Sequence, residues 1–159
     1  LEFVVKKNNS KNKNYDVTID PGHGGMDGGG ASGNYKETDF TMDISKKVKS
    51  NLEKAGITVK LTHDEGDIDK NHVMDEYNKG GRAVIPNEVK SKYTFSIHIN
   101  KSGSSKVKGI ELYTPSDINY DLVKDIVNNI TSNTSLGYSS NRLYKKNIFF
   151  EIAPLWYCI

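Results

Sequence analysis

The sequence predicts a single three-layer α/β domain in which a twisted, mainly parallel sheet is flanked by helices. Short β-prone runs alternate along the chain with helical stretches, the pattern that builds such layers. At 159 residues the chain can bury one substantial core and needs no staple to hold it. Its single cysteine, Cys158, excludes an internal disulfide and a cysteine-based zinc knuckle.

Each element follows from its own residues. Residues 1–14 are low in complexity and rich in Lys and Asn, and read as a flexible linker ahead of a domain over residues 15–159. Val17 and Ile19 alternate with polar residues in a first strand that stops at Pro21-Gly22. A glycine-rich loop runs on to Gly33. From Glu37 to Ala55 the apolar residues Phe40, Ile44, Val48, Leu52 and Ala55 share one helical face, and Gly56 is a stop signal. Ile57, Val59 and Leu61 alternate as a second strand. Residues 64–75 are acidic and turn-rich, which predicts a loop. A helix is expected through Arg82 to Lys90, with Pro86 blurring its start. In residues 93–100 Phe95, Ile97 and Ile99 face one way and Thr94, Ser96, His98 and Asn100 the other. Residues 107–114 predict another strand, followed by a helix carrying Leu122, Ile126, Val127 and Ile130. Residues 148–159, apolar and aromatic, predict a last strand or buried edge. The chain opens on Leu1 and stops at Ile159, and both ends read as cut; a removed upstream signal or anchor is compatible with that start.

Charge narrows the function. Lys and Arg number 22 against 20 Asp and Glu, a near balance that argues against nucleic acid as partner, since such affinity comes from concentrated basic charge. No run approaches the ~18 apolar residues of a membrane span.

The chemistry concentrates in Asp20-Pro21-Gly22-His23-Gly24-Gly25, where glycines let the backbone take left-handed turns and approach a ligand closely. A nucleotide cradle fails on spacing: a G-x-G-x-x-G starting at Gly22 needs glycine where Asp27 stands, and no Gly-Lys-Ser/Thr follows. His23 alone would read as an exposed histidine in a tight turn. His98 ends its strand on the polar face, so in a parallel sheet both histidines open onto one edge, where α/β proteins bind ligands. Glu37, alone, would read as an acid complementing a helix N-terminus. Together, two histidines and one glutamate form a recurring catalytic zinc set that leaves a fourth position for water. His63 and His72, in or beside the acidic loop, read as surface residues.

These residues carry a resemblance. DPGHGG over residues 20–25, Glu37 opening a helix, and Ser96-Ile97-His98-Ile99-Asn100 are similar to the zinc-dependent N-acetylmuramoyl-L-alanine amidases of the type-3 family. Leu61-Thr62-His63-Asp64, Gly81-Arg82 with Asn87, and residues 107–113 fall in matching order. The resemblance implies a metal site of His23, Glu37 and His98 holding Zn²⁺, with Asn100 as a substrate contact. It implies cleavage of the amide between N-acetylmuramic acid and L-alanine in peptidoglycan, by an extracellular monomer acting at the cell wall or envelope. No activator protein is legible. The family carries Arg where this chain has His63, a change expected to alter a structural ion pair. Its general-base glutamate follows a run like Pro154–Ile159, so the catalytic domain is expected to be cut before its last strand, with the base just beyond Ile159 and hydrolysis by this chain poor. Neither Glu111 nor Glu151 falls at the motif's position. The alternative is a non-catalytic cell-wall-binding or regulatory module.

Overall fold

The computed structural model describes residues 14–64, 81–99, 109–112, 120–135 and 156–158. A four-stranded sheet is built from β1 (Val17–Pro21), β4 (Val59–Leu61), β5 (Tyr93–Ile97) and β6 (Trp156–Cys158), in the order β4-β1-β5-β6. All three strand pairs are parallel. Ile19 pairs with Leu61 on one side and with Phe95 on the other, so β1 is central, and all five of its residues are buried. Burial on both faces is expected of a central parallel strand, and helices supply the cover. A two-residue hairpin, β2 (Ala31–Ser32) with β3 (Tyr35–Lys36), leads directly into α1 (Glu37–Lys54). Further on come α2 (Ile85–Glu88) and α3 (Tyr120–Asn133).

Two apolar clusters form the core. Val17, Ile19, Val59, Leu61 and Ile97 pack with Leu52, Ile57 and Phe95. Leu112, Val123 and Val127 pack with Ile110, Leu122, Ile126 and again Phe95, so Phe95 joins the two clusters. Asp16 pins the start of β1 to the start of β4. Its carboxylate accepts from the Lys92 ammonium and from the amide and hydroxyl of Thr58. Those partners hold the Asp16 carboxyl well below its ordinary range.

Several expectations need correction. The helix seats Thr41, Met42 and Ser45 against the sheet, while Phe40, Ile44 and Val48 remain 42, 39 and 38% exposed. One cause is polar: the Thr41 hydroxyl donates to the Gly22 carbonyl at 2.7 Å and turns its side of the helix, Met42 included, inward. The helix expected from Arg82 to Lys90 is one turn, Ile85–Glu88, preceded by a turn over residues 82–84. Pro86 falls in that first turn, where its missing N–H costs nothing. His63 is not at the surface. It is 4% exposed, with Nδ1 3.2 Å from the Thr62 hydroxyl, because the Thr62 side chain is itself drawn onto buried Asp20. His72, the rest of the acidic stretch, residues 1–13, half of residues 107–114 and most of residues 148–159 lie outside the described residues.

Candidate metal centre

β1 delivers the site through its last residue. Gly22 N–H donates to the Ile97 carbonyl at 2.8 Å, so the ends of β1 and β5 abut and bring His23 and His98 together. Only glycine fits at that crossing, since a Cβ on Gly22 would lie 2.6 Å from both His98 Nδ1 and the Ile97 carbonyl oxygen. His23 then takes a left-handed backbone, φ 61°, which is uncommon for a residue with a side chain. The glycine loop is stitched to the start of α1: Glu37 N–H donates to the Gly30 carbonyl at 2.8 Å and Thr38 N–H to that of Gly28 at 3.3 Å. Glu37 therefore enters at the first helical position with its carboxylate between the two imidazoles.

The three side chains converge. Glu37 Oε1 lies 3.2 Å from His23 Nε2 and 3.2 Å from His98 Nδ1, and the two imidazoles meet edge to face with centroids 4.9 Å apart. One ligand atom from each residue falls within 4.8 Å of the others. Glu37 is oriented by backbone amides, Gly30 N–H on Oε2 and Ile99 N–H on Oε1, both at 2.9 Å. Burial opposes ionisation of Glu37, but these amides and the two imidazoles outweigh it and hold the carboxyl below its ordinary value.

Asp27 completes the arrangement. Its Oδ2 lies 2.8 Å from His23 Nδ1, and its Oδ1 accepts from Gly29 N–H at 3.0 Å. The His23 hydrogen bond, with the Gly29 amide, holds the Asp27 carboxyl low despite partial burial. A carboxylate on Nδ1 places the imidazole proton there and turns the Nε2 lone pair toward Glu37. With a cation bound, His23 Nε2 and Glu37 Oε1, 3.2 Å apart, would both turn lone pairs toward it. The spacing suits one: ligands about 2.0–2.1 Å from a tetrahedral zinc stand roughly 3.3 Å apart. A carboxylate behind a metal-binding histidine is a common orienting device, worth about 10–100-fold in metal affinity. Asp27→Ala is therefore expected to weaken zinc binding by about that factor, measured by competition with a chelating dye.

Beneath the metal loop sits a buried polar knot. Asp20, 3% exposed, accepts from the Thr62 hydroxyl at 2.7 Å, the Ser96 hydroxyl at 2.7 Å and Arg82 Nε at 2.9 Å. The Arg82–Asp20 pair is a buried ion pair under the turn, and His63 adjoins it through Thr62.

Of the expected site residues, the structure brings together His23, Glu37 and His98, while Asn100 lies outside the described residues. Asp27 and Arg82 are the residues the sequence reasoning missed as parts of the site. Asp27 stands four residues after His23 in the glycine loop, and that spacing was the available signal.

An acid-stability prediction follows from the depressed carboxyls of Asp16, Asp27 and Glu37. Each titrates lower folded than unfolded, so the unfolded chain binds more protons in between and stability rises with pH there. Their contribution is complete above the ordinary carboxyl range, about pH 4–5, and is lost as pH falls toward the folded values. Thermal melts of metal-free protein from pH 3 to 6 should show this decline, and Asp16→Asn should make it shallower.

A parallel α/β sheet whose carboxyl edge gathers two imidazoles and an oriented carboxylate defines an α/β protein with a candidate metal centre. The chain belongs to the N-acetylmuramoyl-L-alanine amidase family, which it matches over residues 17–155. It is 34% identical over 104 residues to the protein named "Probable cell wall amidase LytH" of Staphylococcus saprophyticus, a match covering 64% of this chain and 31% of that one. The protein of the same name from Staphylococcus aureus is 34% identical over 118 residues, covering 71% of this chain and 36% of its own length. The chain thus spans about a third of the length of these curated relatives. Among solved structures it is similar to the N-acetylmuramoyl-L-alanine amidase AmiC2 of Nostoc punctiforme, with TM-score 0.67, 27% identity, and 89% of this chain and 76% of that one covered. The catalytic domain of CwlV, an N-acetylmuramoyl-L-alanine amidase from Paenibacillus polymyxa, superposes with TM-score 0.67 at 25% identity and the same coverage.

Proposed function

We propose that this domain is the catalytic unit of a zinc-dependent peptidoglycan amidase that cleaves the amide joining N-acetylmuramic acid to L-alanine. The observation that carries the reading is the convergence of His23 Nε2, Glu37 Oε1 and His98 Nδ1 at the carboxyl edge of the sheet. Membership of the amidase family supports the substrate class, and the cell wall amidases among its relatives support action at the cell wall or envelope. Among the described residues no helix is long and apolar enough to cross a membrane.

A zinc ion bound by these three residues would polarise the scissile carbonyl and bring the pKa of a water in the open position to about 7. The chain's own residues make that possible. Glu37 lends the site its negative charge and is held by the Gly30 and Ile99 amides. Asp27 keeps the His23 proton on Nδ1. Asn100, two residues after His98, is assigned to substrate contact.

A carboxylate must still take the proton from the attacking water and pass it to the leaving L-alanine nitrogen. Glu37 and Asp27 are committed to the imidazoles. β6 runs parallel to β5 with Cys158 opposite Ser96, so its carboxyl end lies on the same sheet edge as His98 and is the place to seek such a carboxylate.

Muropeptides incubated with the zinc-loaded protein should yield new L-alanine amino termini, and chelation should stop their appearance. If muropeptides bind but no new termini form, with this chain and with one extended past Ile159, the site belongs to a wall-binding module instead.

A further inference from the structure

The left-handed turn at His23 needs a restraint, because a residue with a side chain leaves that conformation readily unless its surroundings over-determine it. Asp27 holds the ring from one side. The backbone of the same residue is held from below by Arg82, which arrives from a segment about sixty positions later in the chain.

Arg82 is 7% exposed, and all the described bonds of its guanidinium run to the β1 end and the metal loop. Nε donates to Asp20 Oδ1 at 2.9 Å. Nη2 donates both to the Pro21 carbonyl and, at 2.9 Å, to the His23 carbonyl. One planar fork thus ties together the last two residues of β1 and the metal-binding histidine. A charge partner for Asp20 would need only one donor; the contacts to two successive bends of the loop are what a lysine could not reproduce.

We propose that Arg82 is a positioning residue for the metal centre: its guanidinium locks the His23 carbonyl and thereby aims the imidazole at Glu37 and His98. This rests on the metal-centre reading above. Arg82 is therefore distinguished from a merely structural ion pair by what it controls, namely the loop from Gly22 to Asp27 more than the sheet beneath it.

Arg82→Lys tests the point, since it keeps the positive charge beside Asp20 and removes the fork. In metal-free protein the amides of Gly24 and Asp27, which bond each other's carbonyls at 2.8 and 3.0 Å, should exchange with deuterium at least tenfold faster than in the parent. Amides of β5 should keep their parental rates. Zinc affinity should fall by roughly tenfold, and the visible spectrum of the cobalt(II)-loaded protein should change, reporting an altered ligand geometry. Parental exchange at Gly24 and Asp27, or a loosened loop with parental zinc affinity and cobalt spectrum, overturns the proposal. So does uniform acceleration across loop and sheet with zinc loss that merely follows melting temperature.

Should Arg82→Lys fail to fold, Asp20→Asn combined with Arg82→Gln removes both buried charges at once and strands neither, and it carries the same expectations. A parent that takes up neither zinc nor cobalt overturns the metal-centre reading and the aiming role with it. The exchange measurement then still decides whether Arg82 holds the turn.

Discussion

His98→Ala is expected to leave the protein unable to hold zinc at one ion per chain, while His72→Ala is expected to keep the parental stoichiometry. The effect is local. His98 Nδ1 is one of three atoms that converge, and its side chain is 32% exposed at the end of β5, so truncation opens no cavity in the core. The loss falls on the metal. Structural zinc sites with four protein ligands bind with about 10–16 kcal/mol, or roughly 3 kcal/mol per ligand, so removing one of three should weaken binding by roughly 100-fold or more. Glu37 would also lose one of the two imidazoles that favour its ionised form, which compounds the effect. Metal analysis after equilibration at micromolar zinc reads the outcome directly, and the melting temperature of the metal-free variant should stay close to that of the parent. Equal zinc in His98→Ala and parent would remove His98 from the ligand set. His72 belongs to the acidic stretch of the sequence, and loss of zinc on its substitution would mean that the set extends beyond His23, Glu37 and His98.

The parallel sheet and the convergence of His23, Glu37 and His98 were legible because they depend on short-range patterns. Alternation at Val17 and Ile19, the Pro21-Gly22 stop, and alternation through Phe95 and Ile97 locate two adjacent strands, and parallel pairing puts both of their ends on one edge. The orientation of α1 was not legible in that way. Apolar periodicity favours Phe40, Ile44 and Val48, yet the packed face is set by Thr41 reaching the Gly22 carbonyl, a bond between residues 19 positions apart. Hydrophobic spacing cannot register a small polar residue whose partner is a backbone oxygen on another element. The same holds for His63 and Arg82, which are buried because Asp20 gathers Thr62, Ser96 and Arg82 from three distant segments. Asp27 is a different case. Its spacing from His23 is visible, but in the sequence it reads as the residue that breaks a nucleotide cradle, when a carboxylate is also what orients a metal-binding imidazole.

Gly29→Ala is expected to disable the metal centre while Gly33→Ala spares it, a comparison that separates backbone strain from crowding of the ligands. Both glycines are left-handed, with φ of 66° and 59°. An alanine at either position pays about 1–2 kcal/mol for that conformation. Beyond this shared cost the surroundings differ. A Cβ at Gly33 would meet nothing within 4 Å, whereas one at Gly29 would lie 2.5 Å from His23 Cδ2, 2.7 Å from His23 Cγ and 2.9 Å from Glu37 Cβ. Real Cβ atoms do not approach so closely, so the imidazole must turn away. His23 cannot do so freely, since Asp27 grips Nδ1 and Arg82 the carbonyl. Turning the ring breaks the Asp27 bond and carries Nε2 off Glu37; keeping it forces the loop to move and loosens the Gly29 N–H bond to Asp27. Either way two of the three ligands lose their mutual geometry. Zinc affinity should fall by roughly 100-fold or more in Gly29→Ala, the scale of losing one ligand, and by less than about threefold in Gly33→Ala. The melting temperature of metal-free Gly29→Ala should drop further than that of metal-free Gly33→Ala, which carries the left-handed strain alone. Parallel loss of zinc in the two variants would show that loop strain alone governs the site, and that the close approach of Gly29 to His23 and Glu37 is without consequence for binding.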